Sequence, residues 1–366
     1  MTTGGPHLTN PLPPAAVLGI GAVTPMGRDL PTIAKRLSEP VEPAPLLRVS
    51  DDLLADPTVS RGLRRADRFV RMAAIAALDA WTQAQNACAG VPMERVGLIV
   101  TSGLGPHGRG FKFLDGILDC GDSVALPTDF SHSVHGVAAS YIAGLLDLRG
   151  PSLSTTDFES GFEQAVLQAQ CWLNSGSCAR VLLGAVEELG EVLIRCASRL
   201  LPGNPPFALG EGAVFLTLGP SDAGGIAHLD ATASAKDVGL LILDEPSFFP
   251  QSAFFPSPGT PGEGQGGGSP RPIGAPPPPQ PSPGVPGEGE TFSGRYASTF
   301  SPYFGHTASN SAFQSLGGLL SLSAGRPLGR LIHAPSQPSP RPPFDNAATF
   351  RALCDRSASL LLTLTK

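Results

Sequence analysis

The hydrophobic positions of the chain fall into short runs that alternate between strand-like and helix-like spacing. Continuous apolar runs in "AAVLGIGAV" (15–23), "RVGLIVTSG" (95–103) and "GAVFLTLG" (212–219) are typical of buried strands. In "ADRFVRMAAIAALDAW" (66–81) apolar residues recur every three or four positions, which predicts a helix. Further strands are predicted in "PSLSTT", "ARVLLGAV", "IAHLDATAS", "VGLLILDEP", "GRLIHA" and "SASLLLTL", and further helices in "HSVHGVAASYIAGLLDL" and "NSAFQSLGGLLSL". This order predicts a layered α/β fold of two successive halves, each closed by antiparallel strands.

The stretch "STTDFESGF" (154–162) carries a predicted strand through a turn into a predicted helix. Such a strand–turn–helix unit is the local geometry of a nucleophile elbow, yet the residue at the turn is Phe158. In the helix, apolar residues from Phe162 onward form one continuous stripe. Ser160 and Glu163 have the spacing of a capping box at its start.

A Pro- and Gly-rich block covers residues 250–295, and its segment "SPGTPGEGQ" returns as "SPGVPGEGE". This composition cannot bury enough apolar surface to offset the ordering entropy, so we predict a disordered insert in a surface loop. The predicted organisation is a flexible N-terminus (1–14), a first half (15–222), the start of a second half (223–249), the insert (250–295) and the remainder of the second half (296–366).

Composition narrows the range of functions. The chain has 366 residues, a formal net charge of −6 and a pI near 5.6, which gives no general electrostatic footprint for nucleic acid. Its six cysteines are scattered through apolar segments without a CxxC pair, as expected of reduced thiols. The N-terminus has neither the basic nor the apolar region of a secretory signal, and no apolar run reaches the length of a membrane span. We therefore predict a cytoplasmic protein.

Neither a metal nor a cofactor is predicted. His132 and His135 are three residues apart, which would place them on one face of a helix, but turn and cap positions before the helix explain them as well. The segment "GLGPHGRG" (103–110) is rich in glycine and lacks the phosphate-binding pattern G-x-x-x-x-G-K-[ST], so we predict a loop.

Several segments in order resemble the β-ketoacyl synthases of the thiolase fold. "VLGIGAVTPMG" is similar to the opening strand and turn of that family, "RRADRFVRMAAIAALDA" to its first long helix, and "RVGLIVTSGLG" to its second strand. "LRGPSLSTTDFESG" resembles the strand and elbow that carry the nucleophilic cysteine, and "FALGEGAVFLTL" the strand that completes the first half. "SPYFGHTASNSAFQSLGGLLSL" resembles the late K-S-x-x-G-H loop with its helix, and "FSHSVHGVAASY" a divergent N-terminal subgroup.

The resemblance implies a thiolase-like fold and a thiolate that takes an acyl group from a carrier protein, assisted by two histidines. The family motif T-A-C-A-S-G falls on residues 156–161, so Phe158 stands at the cysteine position. The second histidine is matched by His306, whereas the lysine of that loop falls on Ser301. No H-G-T-G-T loop for the first histidine follows "VGLLILDEP", and "LCDRSASLLL" replaces the final Gly-rich turn.

Two residues of this predicted site allow two interpretations each. Glu159 is either a new acid or base working with His306, or a carboxylate that interacts with the amides at the start of the helix. His306 is either catalytic or a hydrogen-bonded core residue inherited from an active ancestor. Phe158 cannot be acylated, and its ring would fill the space where the acyl chain and the thiol meet.

Five arginines lie within eleven residues of this otherwise acidic chain: Arg61, Arg64, Arg65, Arg68 and Arg71. They form either a solvated helix face or a docking site for an acidic acyl carrier protein. The resemblance favours docking through Arg61, Arg64 and Arg65, because basic residues just before this helix bind the carrier protein in the family.

The residue losses and the preserved scaffold together predict a condensation-inactive β-ketoacyl synthase homologue of fatty-acid or polyketide-type biosynthesis. It would act like a chain-length factor, as the partner of an active synthase in a heterodimer, or as a homodimer, and it would help to recruit the acyl carrier protein. The alternatives are a residual acyltransferase or malonyl decarboxylase that uses His306 with Glu159, and a decaying reading frame without function.

Overall fold

The structure is a computed structural model. It describes residues 12–42, 44–55, 62–121, 123, 125–158, 160–200, 208–231, 240–243, 296–304, 307, 309–324, 328, 330–333, 347–351 and 362–365. The insert predicted at 250–295 and most of the predicted flexible N-terminus lie outside these residues, and the predicted domain boundaries stay predictions. None of the helices in the described part of the chain combines the length and the apolar content needed to cross a bilayer.

Strands and helices alternate along the chain as the apolar pattern predicts. The strands are β1 (Ala15–Val23), β2 (Leu46–Leu47), β3 (Val96–Ser102), β4 (Ser152–Thr156), β5 (Arg180–Glu187), β6 (Leu209–Gly210), β7 (Gly212–Gly219), β8 (Ala227–Asp230), β9 (Leu240–Leu243), β10 (Tyr296–Thr299), β11 (Arg330–His333), β12 (Ala347–Arg351) and β13 (Leu362–Thr365). The helices are α1 (Leu30–Arg36), α2 (Arg68–Gln83), α3 (His107–Cys120), α4 (Pro127–Ser133), α5 (Val137–Leu146), α6 (Gly161–Asn174), α7 (Glu191–Leu200), α8 (Ser301–Phe304) and α9 (Asn310–Ala324).

The main sheet repeats one strand arrangement twice. In the first half β1 pairs antiparallel with β7, β7 pairs antiparallel with β5, and β5, β3 and β4 run parallel. In the second half β8, β13, β12, β9 and β10 follow the same scheme, with β11 added antiparallel to β10. A short antiparallel pairing of β1 with β8 joins the halves into one sheet of 11 strands. This repeat is the duplication that the sequence predicts.

Helices cover both faces of the sheet. Helices α2 and α5 pack with apolar side chains of β3, β5 and β7 in one buried cluster, whereas α1, α6 and α9 belong to a second cluster. Helix α2 lies so close to β1 that a Cβ on Gly21 would overlap the carbonyl oxygen of Ala76. Helix α6 is central because its apolar stripe is buried between the sheet and α9.

The structure corrects two local predictions and adds elements that the sequence analysis does not predict. The helix predicted from residue 132 begins only at Val137, because the backbone at Val134 is extended and interrupts it. Residues 103–110 were predicted to be a loop, but helix α3 begins at His107. The helix was missed because it is rich in glycine and has no buried residue. Helix α7 and strand β12 were not predicted at all.

The prediction of a capping box at the start of α6 is wrong, because its hydrogen bonds do not form. Ser160 is the N-cap residue, but its side chain makes no capping bond. Its hydroxyl instead accepts a hydrogen bond from Gln164 Nε2 at 2.8 Å, and its own amide donates to Asp157 Oδ1 at 2.9 Å. Glu163 is buried on the packed side of the helix. The Asp157 carboxylate therefore shapes this turn.

Candidate functional site

The carboxyl ends of the parallel strands β3, β4 and β5 lie side by side at one edge of the sheet. Ser102 ends β3 and stands opposite Thr156, which ends β4, and Glu187 ends β5. Loops at this edge of a parallel sheet are where α/β folds bind ligands. The elbow region, which we define as residues 156–161, lies at this edge.

The elbow has the strand–turn–helix geometry that its sequence predicts. The amide of Asp157 donates to the carbonyl oxygen of Ser102 at 3.4 Å, which ties the turn to the end of β3. Helix α6 begins at Gly161, and a Cβ built on this residue would lie 2.8 Å from Thr101 Oγ1. Phe158 occupies the turn and is half-buried. The close approach requires a glycine at residue 161, whatever residue stands at the turn.

A buried carboxyl group, that of Glu187, lies next to the elbow. Its Oε1 accepts hydrogen bonds from the amide of Gly103 at 2.5 Å and from Ser309 Oγ at 2.5 Å, and its Oε2 accepts one from Ser102 Oγ at 3.2 Å. Burial raises the pKa of Glu187 to about 7, although these hydrogen bonds lower it. Such a carboxyl can exist in either protonation state near neutral pH.

A second buried carboxyl follows directly in the chain. Glu188 accepts a hydrogen bond from the amide of Gly108 at 2.8 Å, and its Oε1 lies 3.8 Å from Nδ1 of His107. Burial raises the pKa of Glu188 to about 7, and burial also lowers the pKa of His107. His107 Nε2 accepts a hydrogen bond from the amide of Gly190 at 3.1 Å. These contacts anchor the start of α3 to the end of β5.

Asp67 joins three helices at the same edge. Arg109 of α3 donates to Asp67 through Nε at 2.9 Å and to Asp129 of α4 through Nη1 at 2.6 Å. His132 Nδ1 lies 3.3 Å from Asp67 Oδ2, and His132 Nε2 lies 3.2 Å from the hydroxyl oxygen of Tyr141. Asp67 itself precedes the first residue of α2. Polar contacts therefore hold α3 and α4 on the rest of the fold.

Sequence reasoning missed this polar cluster. The available signal was "EE" (187–188) directly after a buried strand, which puts two carboxylates at a strand end. Nothing in the linear sequence indicates that Ser309 and Gly103 meet there, because they are far apart along the chain.

Comparison with known proteins identifies the segment that contains the site. Residues 47–201 match the family model described as Beta-ketoacyl synthase, N-terminal domain. This segment is similar to the N-terminal domain of β-ketoacyl synthases. A search of curated protein sequences gives no match.

Solved structures share the fold of the whole arrangement. A β-ketoacyl synthase from Burkholderia phymatum STM815 is 14% identical, with a TM-score of 0.64, over 96% of this chain and 98% of that chain. A chain of "AntDE:AntF (apo): type II PKS acyl-carrier protein in complex with its ketosynthase bound to the hexaketide" is 17% identical, with a TM-score of 0.53, over 63% and 78%. "The ishigamide ketosynthase/chain length factor" is 18% identical, with a TM-score of 0.51, over 62% and 69%. The predicted thiolase-like ketosynthase fold is confirmed.

The five arginines between residues 61 and 71 divide into two groups. Arg64 and Arg65 are exposed in the turn before α2, and Arg61 lies outside the described residues. Arg68 and Arg71 turn inward and donate to buried or half-buried groups. The interpretation of all five as one solvated helix face is therefore wrong, and two described arginines are available at the surface.

Arg68 forms a largely buried ion pair with Glu211 of the loop before β7. The Glu211 side chain is 0% exposed, and its Oε1 accepts hydrogen bonds from Arg68 Nε at 3.0 Å and Nη2 at 2.6 Å. Its carboxylate also accepts from the amides of Val49 at 3.0 Å and Leu189 at 3.1 Å. The pair links α2 to the strands of the domain, which is a structural role.

The two histidines considered as metal ligands do not share a helix face. His132 lies in the last turn of α4, whereas His135 lies in the turn before α5, where it packs against Gly105. The described part of the chain holds no group of three or more His, Cys, Asp or Glu residues arranged for a metal ion. Glu159 and His306 lie outside the described residues.

Proposed function

We propose that the chain is a condensation-inactive ketosynthase homologue that acts as the chain-length-factor-like partner of an active synthase in fatty-acid or polyketide-type biosynthesis. The observation that carries this proposal is Phe158 in the turn of an otherwise preserved elbow. A phenyl ring has neither a lone pair to attack a thioester nor a proton to lose, so no acyl-enzyme can form at this residue.

An active subunit would dock on the open sheet edge and on the apolar surface of α3 and α4. Strand β4 ends the order of described strands in the sheet, so its outer backbone groups are available for pairing. Helices α3 and α4, which pack against each other, contain no buried residue, and six large apolar side chains in and around them are exposed: Phe111, Leu114, Leu118, Leu126, Phe130 and Val134. An apolar patch of this kind is typical of a permanent interface between subunits. A ketosynthase-fold subunit, which has an equivalent edge, is the occupant.

An acyl carrier protein would dock at the turn before α2. Arg64 and Arg65 are exposed there, and their charges complement an acidic carrier protein. The solved complex "AntDE:AntF (apo)" contains an acyl-carrier protein with its ketosynthase, and the chain matched in it has the same fold as this one. Five free cysteines in the described part of the chain support a reducing, cytoplasmic location.

The decisive experiment compares the protein alone with the protein in the presence of an active synthase that has an intact Cys-His-His site. Alone, it should not condense acyl and malonyl carrier proteins, and Phe158→Cys should not restore condensation, because other family residues are missing as well. With the synthase, Phe158→Ala should change the chain length of the product by enlarging a shared tunnel.

Condensation by the purified protein alone would refute the proposal. Loss of malonyl-carrier-protein decarboxylation in a Glu159→Gln, His306→Ala double variant, with the fold intact, would instead favour the residual enzyme.

A further inference from the structure

We infer that Glu187 is a positioning residue, which holds the elbow of the first half and the segment before α9 of the second half in a fixed relation. Its side chain lies at the end of β5, is 3% exposed and accepts hydrogen bonds from both halves. The inference does not depend on whether the protein condenses acyl groups.

On the side of the first half, Glu187 reaches the elbow through Ser102. The Ser102 hydroxyl donates to Glu187 Oε2 at 3.2 Å, and the Ser102 carbonyl accepts from the Asp157 amide at 3.4 Å. The Gly103 amide donates to the other carboxyl oxygen at 2.5 Å. The Glu187 carboxyl thus holds Ser102 and Gly103, and Ser102 in turn binds the elbow through the Asp157 amide.

On the side of the second half, Glu187 holds Ser309. The Ser309 hydroxyl donates to Glu187 Oε1 at 2.5 Å, and the residue is 5% exposed. The Ser309 carbonyl accepts a hydrogen bond from the amide of Ala312, which lies in the first turn of α9. The residue directly before α9 is therefore tied to the first half.

The donors to Glu187 are the hydroxyls of Ser102 and Ser309 and backbone amides, so none of them brings a positive charge. Burial is the main cause of the raised pKa of the next carboxyl, that of Glu188, and the negative charges of Asp67, Glu211 and Glu187 raise it further. A carboxyl in such surroundings is stabilised only by its hydrogen bonds, so losing one donor is costly. The buried Glu187 carboxyl is therefore stable only when Ser102 and Gly103 of the first half and Ser309 of the second half all donate to it.

The test is native-state hydrogen exchange of the full chain, read around Gly103 and around Ser309. Ser309→Ala removes only the contact from the second half. Ser321→Ala is the matched control, because that buried hydroxyl donates to Gly317 of α9 at 2.8 Å and accepts from the amide of Leu328 at 3.2 Å, and both partners belong to the second half. Glu187→Gln keeps a hydrogen-bond acceptor on the same stem, whereas Glu187→Ala removes it.

We expect Ser309→Ala and Glu187→Ala to speed exchange at both segments by about tenfold to a hundredfold, and Glu187→Gln to keep most of the protection. Ser321→Ala should change exchange in the second half and leave Gly103 unchanged. If Ser309→Ala changes exchange around Ser309 and leaves Gly103 unchanged, the coupling does not exist and the inference is wrong. If Glu187→Ala does not fold, the comparison of Ser309→Ala with Ser321→Ala still shows whether the segments around Gly103 and Ser309 are coupled.

Discussion

The two buried glutamates at the end of β5 should make the folded protein less stable as the pH rises. Burial raises the pKa of Glu187 and that of Glu188 to about 7 from a value of 4.5. Between these two pH values the folded protein retains protons that the unfolded chain has released. The stabilising contribution is therefore fully present below about pH 4.5 and is lost as the pH rises through about 7.

The size of the effect follows from the shift. One pKa unit corresponds to about 1.4 kcal/mol, so a rise from 4.5 to about 7 removes about 3 kcal/mol of unfolding free energy for each group. The negative charge of Glu187 itself raises the pKa of Glu188, so the two groups titrate together and their effects do not simply add. Even one such contribution is a large part of the about 5–15 kcal/mol that stabilises a typical protein.

Urea unfolding from about pH 4.5 to about pH 8 measures this effect in the parent protein and in Glu187→Gln and Glu188→Gln. Each glutamine carries no titrating proton, so each variant should lose about 3 kcal/mol less stability across this range than the parent protein does. Glu94→Gln is the control, because the Glu94 side chain is 60% exposed. An equally steep decline in both buried variants and in the parent protein would refute the reasoning.

Substitutions at the ion pair, the elbow and the docking turn test three other features. Arg68→Met leaves the fully buried Glu211 carboxylate without its cation and should cost about 3–5 kcal/mol in urea unfolding. Gly161→Ala places a methyl group 2.8 Å from Thr101 Oγ1 and should cost about 1–3 kcal/mol, measured by thermal unfolding. Replacing both Arg64 and Arg65 by Glu should weaken carrier-protein binding at least about tenfold at low salt in calorimetry, and the difference should shrink at high salt.

The hydrophobic pattern alone was sufficient to predict the buried strands β1 and β7. Strands β1 and β7 are found at the residues where their apolar runs predict them, because strands buried on both faces have few polar positions to interrupt the run. Helix α3 could not be predicted in this way, since it has no buried residue and three glycines within its first ten residues. Local polar bonds and packing that is distant in sequence determine such an element.

The candidate site was predictable only where it is local in sequence. The elbow could be recognised from nine consecutive residues, and its geometry agrees with the prediction. The roles of Glu187 and Asp67 could not be, because their partners come from other strands and helices. The roles suggested for Glu159 and His306 stay predictions.

Preservation of the elbow is not evidence for preservation of a reaction. Gly161 must remain small because of Thr101, and the stripe of α6 must remain apolar because it is buried in the core. These demands act on any chain of this fold, whether or not a nucleophile stands at the turn. The turn residue itself is half-buried, and the family's reactive residue can be replaced there while the scaffold around it is kept. The function of the chain must therefore be argued from Phe158 and the surfaces beside it, and not from the intact strand, turn and helix.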